Sequence, residues 1–240
     1  MQPRFPSIGS RTGILHVFTV NHLFSSRPRQ TIYSIAVIRS SIGFLMHNRI
    51  AEAVKIVMGE LSAVHEQHSC IMASAVLLDV LLSIGIDGAY PLTVKPRILN
   101  PQFVRRLRTE SFPTTSQQFA EWSAAGCSMV AIGHGTGTSD SWAGHLVVVV
   151  PNAYAGKAIV IDPTITQASV PDWGIELRPL MFVAPASFLQ GDREFKAPVN
   201  DSMIVYMAFP SDHSYETTPL WSNRQKRDVI VRNILNQIGQ

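Results

Sequence analysis

Cysteine is scarce in this chain. Cys70 and Cys127 are the only two among 240 residues, which excludes the disulfide framework that holds small secreted domains together. A lone Cys70–Cys127 bridge is the alternative; two reduced thiols in a cytoplasmic protein is the simpler reading. Charge is sparse as well. Asp, Glu, Lys and Arg make up 15% of the chain against 46% apolar residues. That balance excludes a coiled coil or a disordered tail and leaves apolar material for one sizeable core. Acidic residues are missing altogether from residues 1–51, which carry six arginines, Arg4, Arg11, Arg27, Arg29, Arg39 and Arg49. The remainder holds 14 basic and 17 acidic residues, a net charge of −3, although the whole chain stands at +3. The basic balance therefore belongs to the N-terminal segment. The mildly acidic body is not that of a nucleic-acid binder. The apolar stretch 31–46 is interrupted by Arg39 and is shorter than the roughly 20 residues that cross a bilayer, so no membrane partner is expected.

The composition divides the chain. Residues 1–45, rich in Arg and Ser and free of acids, read as a poorly ordered extension outside the domain. They resemble either a mitochondrial transit peptide or a segment added by a start placed too far upstream, with Met46 as the true beginning. Residues 46–210 form the domain proper. Residues 211–240 read as an irregular linker followed by an amphipathic helix, with Val229, Ile230, Ile234, Leu235 and Ile238 on one face. No internal repeat or low-complexity tract is visible.

Within the body the periodicity changes from helical to strand-like. Ile50, Val54, Val57, Met58, Leu61 and Val64 recur at helical spacing and predict an amphipathic helix over about 49–65. "IMASAVLLDVLLSIGIDG" is apolar nearly all round, as a buried helix must be. Ser69 is placed to cap it and Gly85 to stop it. "YPLTVKPRIL", "CSMVAIG", "HLVVVV", "KAIVID", "LMFVA" and "SMIVYMAF" read as strands, with a short helix at "SQQFAEWSAAG". Helices first and a mostly antiparallel sheet afterwards give an α+β fold, with a Cys-bearing helix buried against the sheet.

Three ionisable residues stand at the ends of these elements. Cys70 opens the buried helix, where partial positive charge and free N–H groups favour a thiolate and can bind an oxyanion. His145 opens the strand "HLVVVV", and Asp162 closes its hairpin partner "KAIVID". Tight pairing brings the imidazole and the carboxylate near each other, and a carboxylate there fixes the tautomer of the ring. His134, in the loop "GHGTG", is the competing base; Cys127 lacks a helix N-terminus and reads as core. "HEQHSC" also offers His65, His68 and Cys70, but CxxC and HExxH pairings are absent, so a zinc site is kept only as an alternative and no cofactor or metal is expected.

The order Cys, His, Asp, carried by "GHLVVVV" and "KAIVIDPTITQ" over about residues 48–210, resembles the transglutaminase-like branch of the papain-like cysteine enzymes. The resemblance implies an α+β papain-like core with Cys70 as nucleophile, His145 as base and Asp162 as its orienter. It implies a cysteine-dependent hydrolase or acyltransferase: a peptidase, deamidase or transglutaminase-like enzyme that forms a thioacyl intermediate. Its partner would be a peptide, protein or small acyl substrate. Gln67 is the oxyanion candidate, by analogy with the glutamine upstream of the cysteine in papain-like peptidases. Gln167 and Trp173 are candidates to line the cleft. The sequence departs from the family in one respect: "HSCIM" and "HLV" lack the aromatic residues usual beside the cysteine and after the histidine. A non-catalytic binding module on the same fold is the other reading.

Overall fold

The computed structural model describes residues 41–63, 69–133 and 142–238. The expectations placed on residues 1–40 and on His65, Gln67, His68 and His134 lie outside the described residues.

Helix α1 (Ser41–Ala63) begins at Ser41 rather than near residue 49. It buries Ile50, Ala53, Val57 and Leu61, one face at three- and four-residue spacing. Helix α2 (Cys70–Ser83) starts at Ser69, whose hydroxyl accepts the Met72 N–H at 3.2 Å. It ends in a Schellman turn. Gly85 N–H donates to Leu82 O and Ile86 N–H to Leu81 O, with Gly85 at a φ of 78° that a side chain would resist. The first half of α2 is buried all round, as its apolar composition requires; its end emerges at Leu82 and Ser83.

Among the described residues seven strands follow, every pair antiparallel. They are β1 (Tyr90–Leu99), β2 (Met129–Ala131), β3 (His145–Tyr154), β4 (Lys157–Asp162), β5 (Leu180–Ala184), β6 (Phe195–Val199) and β7 (Ser202–Ala208). Six run in the order β5-β4-β3-β1-β7-β6, and β2 pairs with the far end of β1. Helices α3 (Pro101–Arg106) and α4 (Ser116–Ala124) fill the connection between β1 and β2. The architecture is α+β.

The sheet is strongly curled. Strands stand about 4.8 Å apart, so the edges of six flat strands would lie about 24 Å apart. Phe182 on edge strand β5 and Phe195 on edge strand β6 are instead stacked, with ring centroids 4.4 Å apart and planes within 7°. Phe182 also meets Tyr206 of β7 at 5.2 Å. The two edges are thus joined by aromatic rings into a barrel. Val147, Val149, Val160, Ile204 and Phe188 fill its inside. The alternate residues Val148, Val150, Ile159 and Ile161 face outward under the helices. Both faces of β3 are buried, which is why its sequence is an unbroken apolar run.

Three helices cover the outside: α1, α2 and, beyond the short α5 (Ala186–Leu189) and α6 (Pro219–Ser222), the C-terminal α7 (Arg224–Ile238). The last segment is part of the core. Ile230 and Ile234 pack among Val57, Leu77 and Val80. Arg227 ties α7 to α2 through Asp79 at 2.6 Å and donates to the Trp221 carbonyl at 2.9 Å. Among the described residues no helix is long and apolar enough to cross a membrane.

Phe182 touches three aromatic neighbours, Phe188, Phe195 and Tyr206, at the barrel closure. Phe182→Ala is expected to cost roughly 3–5 kcal/mol in urea unfolding. Amide exchange should accelerate most in β5 and β6, the strands that the ring joins; an even increase across the sheet would show that the stack does not close the barrel.

Candidate active site

The site is built at one mouth of the barrel, where α2, β3 and β4 each present a terminal residue. Val148 pairs with Ile161 and Val149 with Val160. That register sets Asp162 on the same face as His145, Val147 and Val149, diagonal to His145 across the ladder. The imidazole Nε2 lies 2.8 Å from Asp162 Oδ1 and 2.9 Å from Oδ2. Both side chains are fully buried.

The carboxylate is held from two further directions. Tyr206, from β7, reaches across the barrel interior and donates its hydroxyl to Oδ2 at 2.8 Å. The Thr164 N–H donates to Oδ1 at 3.3 Å, a turn that the "DPT" tripeptide forms on itself. Burial and the facing carboxylate push the Tyr206 phenol well above its ordinary value, so it remains a donor.

Cys70 approaches from the other side of the strand. The α2 helix covers the outer face of the sheet, whereas the alternation of β3 turns His145 inward. The two meet because each is the first residue of its element. Ser74 fixes this alignment by donating to the Leu146 carbonyl at 2.9 Å, one residue after the histidine. The Cys70 thiol is half-buried and lies close enough to the ring to act on its protonation. Burial by itself pulls the His145 pKa down; the charge and hydrogen bond of Asp162, with a smaller contribution from Cys70, outweigh it and raise it to about 10.

Gln167, in the 3-10 turn Ile165–Ala168, brings its amide nitrogen to 3.2 Å from His145 Nδ1. It therefore stands on the ring. Trp173 is elsewhere. Its carbonyl meets the Asn100 amide at 3.4 Å, beyond the Leu99 end of β1, whereas His145 pairs with Val94 in the middle of that strand. The expectation that Trp173 lines the cleft does not hold: the turn at Pro171–Trp173 carries its ring onto the barrel cluster instead. Gln67 lies outside the described residues. Cys127 is buried among Leu99, Phe103 and Trp122, and that burial raises its pKa. Both cysteines are free thiols.

Aromatic residues do share the cysteine's cluster, supplied from distant positions. Cys70, Trp142 and Trp221 pack on a buried trio of Ile71, Leu146 and Tyr215. Tyr215 makes edge contacts with Trp221 at 4.8 Å and Trp142 at 6.1 Å. The Trp142 indole donates to Ser214 Oγ at 2.8 Å. A Cβ at Gly144 would collide with the Trp142 ring, which explains the glycine beside His145. Tyr206, Tyr215 and Trp221 had no local signal that pointed to this site; Trp142, three residues before His145, was the only one within reach of a motif. Among the described residues no group of three or more His, Cys, Asp or Glu side chains is placed to hold a metal ion. In comparisons with known proteins, no family model, no curated protein and no solved structure matches the chain.

Asp162 is what raises the His145 pKa against the pull of burial. In Asp162→Asn the carboxylate charge is lost while burial persists, so nitrogen chemical shifts at pH 7.5 are expected to report a doubly protonated ring in the wild type and a neutral one in the variant. The pair also has a stability signature. The folded pKa of His145 stands above the unfolded 6.5, so its contribution is complete below pH 6.5 and is lost as the pH rises through about 10. Thermal midpoints should decline across that window in the wild type and more shallowly in Asp162→Asn; parallel profiles would contradict the coupling.

Proposed function

We propose that this domain is a cysteine-dependent hydrolase or acyltransferase with a papain-like, transglutaminase-like core, acting on an amide or thioester. The observation that carries the reading is a half-buried thiol at a helix N-terminus within reach of a buried imidazole whose Nε2 is held by both oxygens of Asp162. A helix layer against a curled antiparallel sheet, with Cys, His and Asp met in that order along the chain, supports the same family.

The chemistry follows from the roles that these positions allow. The Cys70 thiolate attacks the substrate carbonyl. The amides that open α2, which lack partners within the helix, face the developing oxyanion. His145 gives its proton to the leaving group, and a thioacyl enzyme remains. Water or an amine then resolves it, with the neutral ring as base. Asp162 keeps the proton on Nε2 and leaves Nδ1 to exchange with the reacting groups. The Trp142 and Trp221 rings, which pack on the same buried trio as Cys70, suit a substrate with an apolar group next to the scissile carbonyl.

A thiol-directed acyl probe followed by mass spectrometry tests this proposal. One adduct is expected on Cys70 and none on buried Cys127, with labelling lost in His145→Ala. Asp162→Asn should slow labelling by roughly 10–10³-fold, scaled down from the corresponding loss in serine triads. A folded protein in which Cys70 reacts no faster than a free thiol would leave the fold to a binding role.

A further inference from the structure

The His145 ring has two nitrogens and no exposure to solvent. Nε2 is occupied by Asp162 on both oxygens. Proton exchange through the ring must therefore use Nδ1. Among the described residues the groups that face the ring are few: Asp162 from β4, backed by Tyr206 from β7; Cys70 from α2; and Gln167 from the turn after β4. Of these, only Cys70 and Gln167 reach solvent. One is the proposed nucleophile. The other holds an amide nitrogen 3.2 Å from Nδ1.

An amide N–H at Nδ1 suits only a neutral ring, in which that nitrogen is a bare lone pair. In the proposed reaction the ring is neutral after acylation, once its proton has left with the leaving group. The resting imidazolium would turn the amide to present its oxygen.

Resting on the proposed thioacyl chemistry, we infer that Gln167 is a positioning residue that caps Nδ1 in the acyl-enzyme and keeps water off the base, so that the acyl group passes to an amine acceptor in preference to being hydrolysed. Water has only its own hydrogen bonds with which to displace the amide. An acceptor bound along the cleft can use contacts made elsewhere to push it aside. In the transfer step the acceptor nitrogen attacks the thioester carbon and its proton goes to Nδ1. The new C–N bond forms, the C–S bond breaks, and the electron pair returns to sulfur as thiolate. The products are an amide, the Cys70 thiolate and the His145 imidazolium. Hydrolysis follows the same course with water oxygen and releases a carboxylic acid.

The test uses the full chain acylated with p-nitrophenyl acetate. Intact mass follows the decay of acyl-Cys70, with and without added glycinamide, in the wild type, Gln167→Ala and Gln167→Glu. Gln167→Ala should hydrolyse acyl-Cys70 about tenfold faster, the worth of one net hydrogen bond, and lose product to water even when glycinamide is present. Gln167→Glu should be slower than the wild type, because a carboxylate at the same reach keeps Nδ1 protonated and unable to accept a proton. A merely structural role would move both variants in one direction. Hydrolysis in Gln167→Ala at or below the wild-type rate, or both variants shifting together, overturns this inference alone. If the wild type forms no acyl-Cys70, the functional reading is overturned and this one with it.

Discussion

The structure depends on a buried hydrogen-bonded pair, His145 on Asp162, more than on any other contact. A charged imidazole and a carboxylate fully removed from water are each costly; together they are tolerable only if every lone pair and proton is satisfied. The barrel supplies that satisfaction. One strand brings the ring, its neighbour brings the carboxylate, and Tyr206 from across the interior takes the remaining acceptor site. The curl of the sheet is what makes this reach achievable. In a flat sheet two strands, β3 and β1, would separate Tyr206 from Asp162. The aromatic closure at Phe182 and Phe195 and the polar network at the mouth are therefore aspects of one constraint.

Much of the fold was legible because local chemistry and tertiary packing agree. The buried helix announced itself by apolar residues on every side, by Ser69 before it and by Gly85 after it. The strands β3 and β4 were readable from their β-branched runs. Strand β6 was not. Its sequence, "FKAPV", carries a lysine and a proline because it lies at an edge and buries only Ala197 fully. Helix α3 was hidden for a related reason: six residues, started by Asn100 as cap with Pro101 behind it, are too few to show a period. The curl itself left no trace in any single segment. It arises from rings on β5, β6 and β7 that meet only after pairing.

The candidate site was legible where its members close or open an element and hidden where they come from the middle of one. Cys70, His145 and Asp162 stand at boundaries that capping and strand patterns define. Gln167 is legible in sequence as a cleft candidate just after the Asp strand, and a one-turn 3-10 helix decides that its amide goes to the ring. Trp173 looked equivalent to it, yet six residues further on the chain has turned toward Asn100. Tyr206 reads in sequence as one more apolar strand residue. The departure seen in the flanks "HSCIM" and "HLV" also changes meaning in three dimensions, since Trp142, Tyr215 and Trp221 bring the aromatic surroundings from other parts of the chain.

The wall formed by Tyr215 and Trp221 has a consequence for biosynthesis. Cys70 lies in the first third of the sequence, whereas Tyr215 and Trp221 of its cluster lie in the last. During translation the helix that bears the thiol leaves the ribosome long before Tyr206 can brace Asp162 or Arg227 can fasten α7 to Asp79. The nascent chain thus carries its thiol before the His145–Asp162 pair is braced, and the surroundings of Cys70 are complete only once the C-terminal segment has docked. Under the proposed function, such an order of assembly confines premature acylation of Cys70 to whatever reactivity an unassisted thiol possesses.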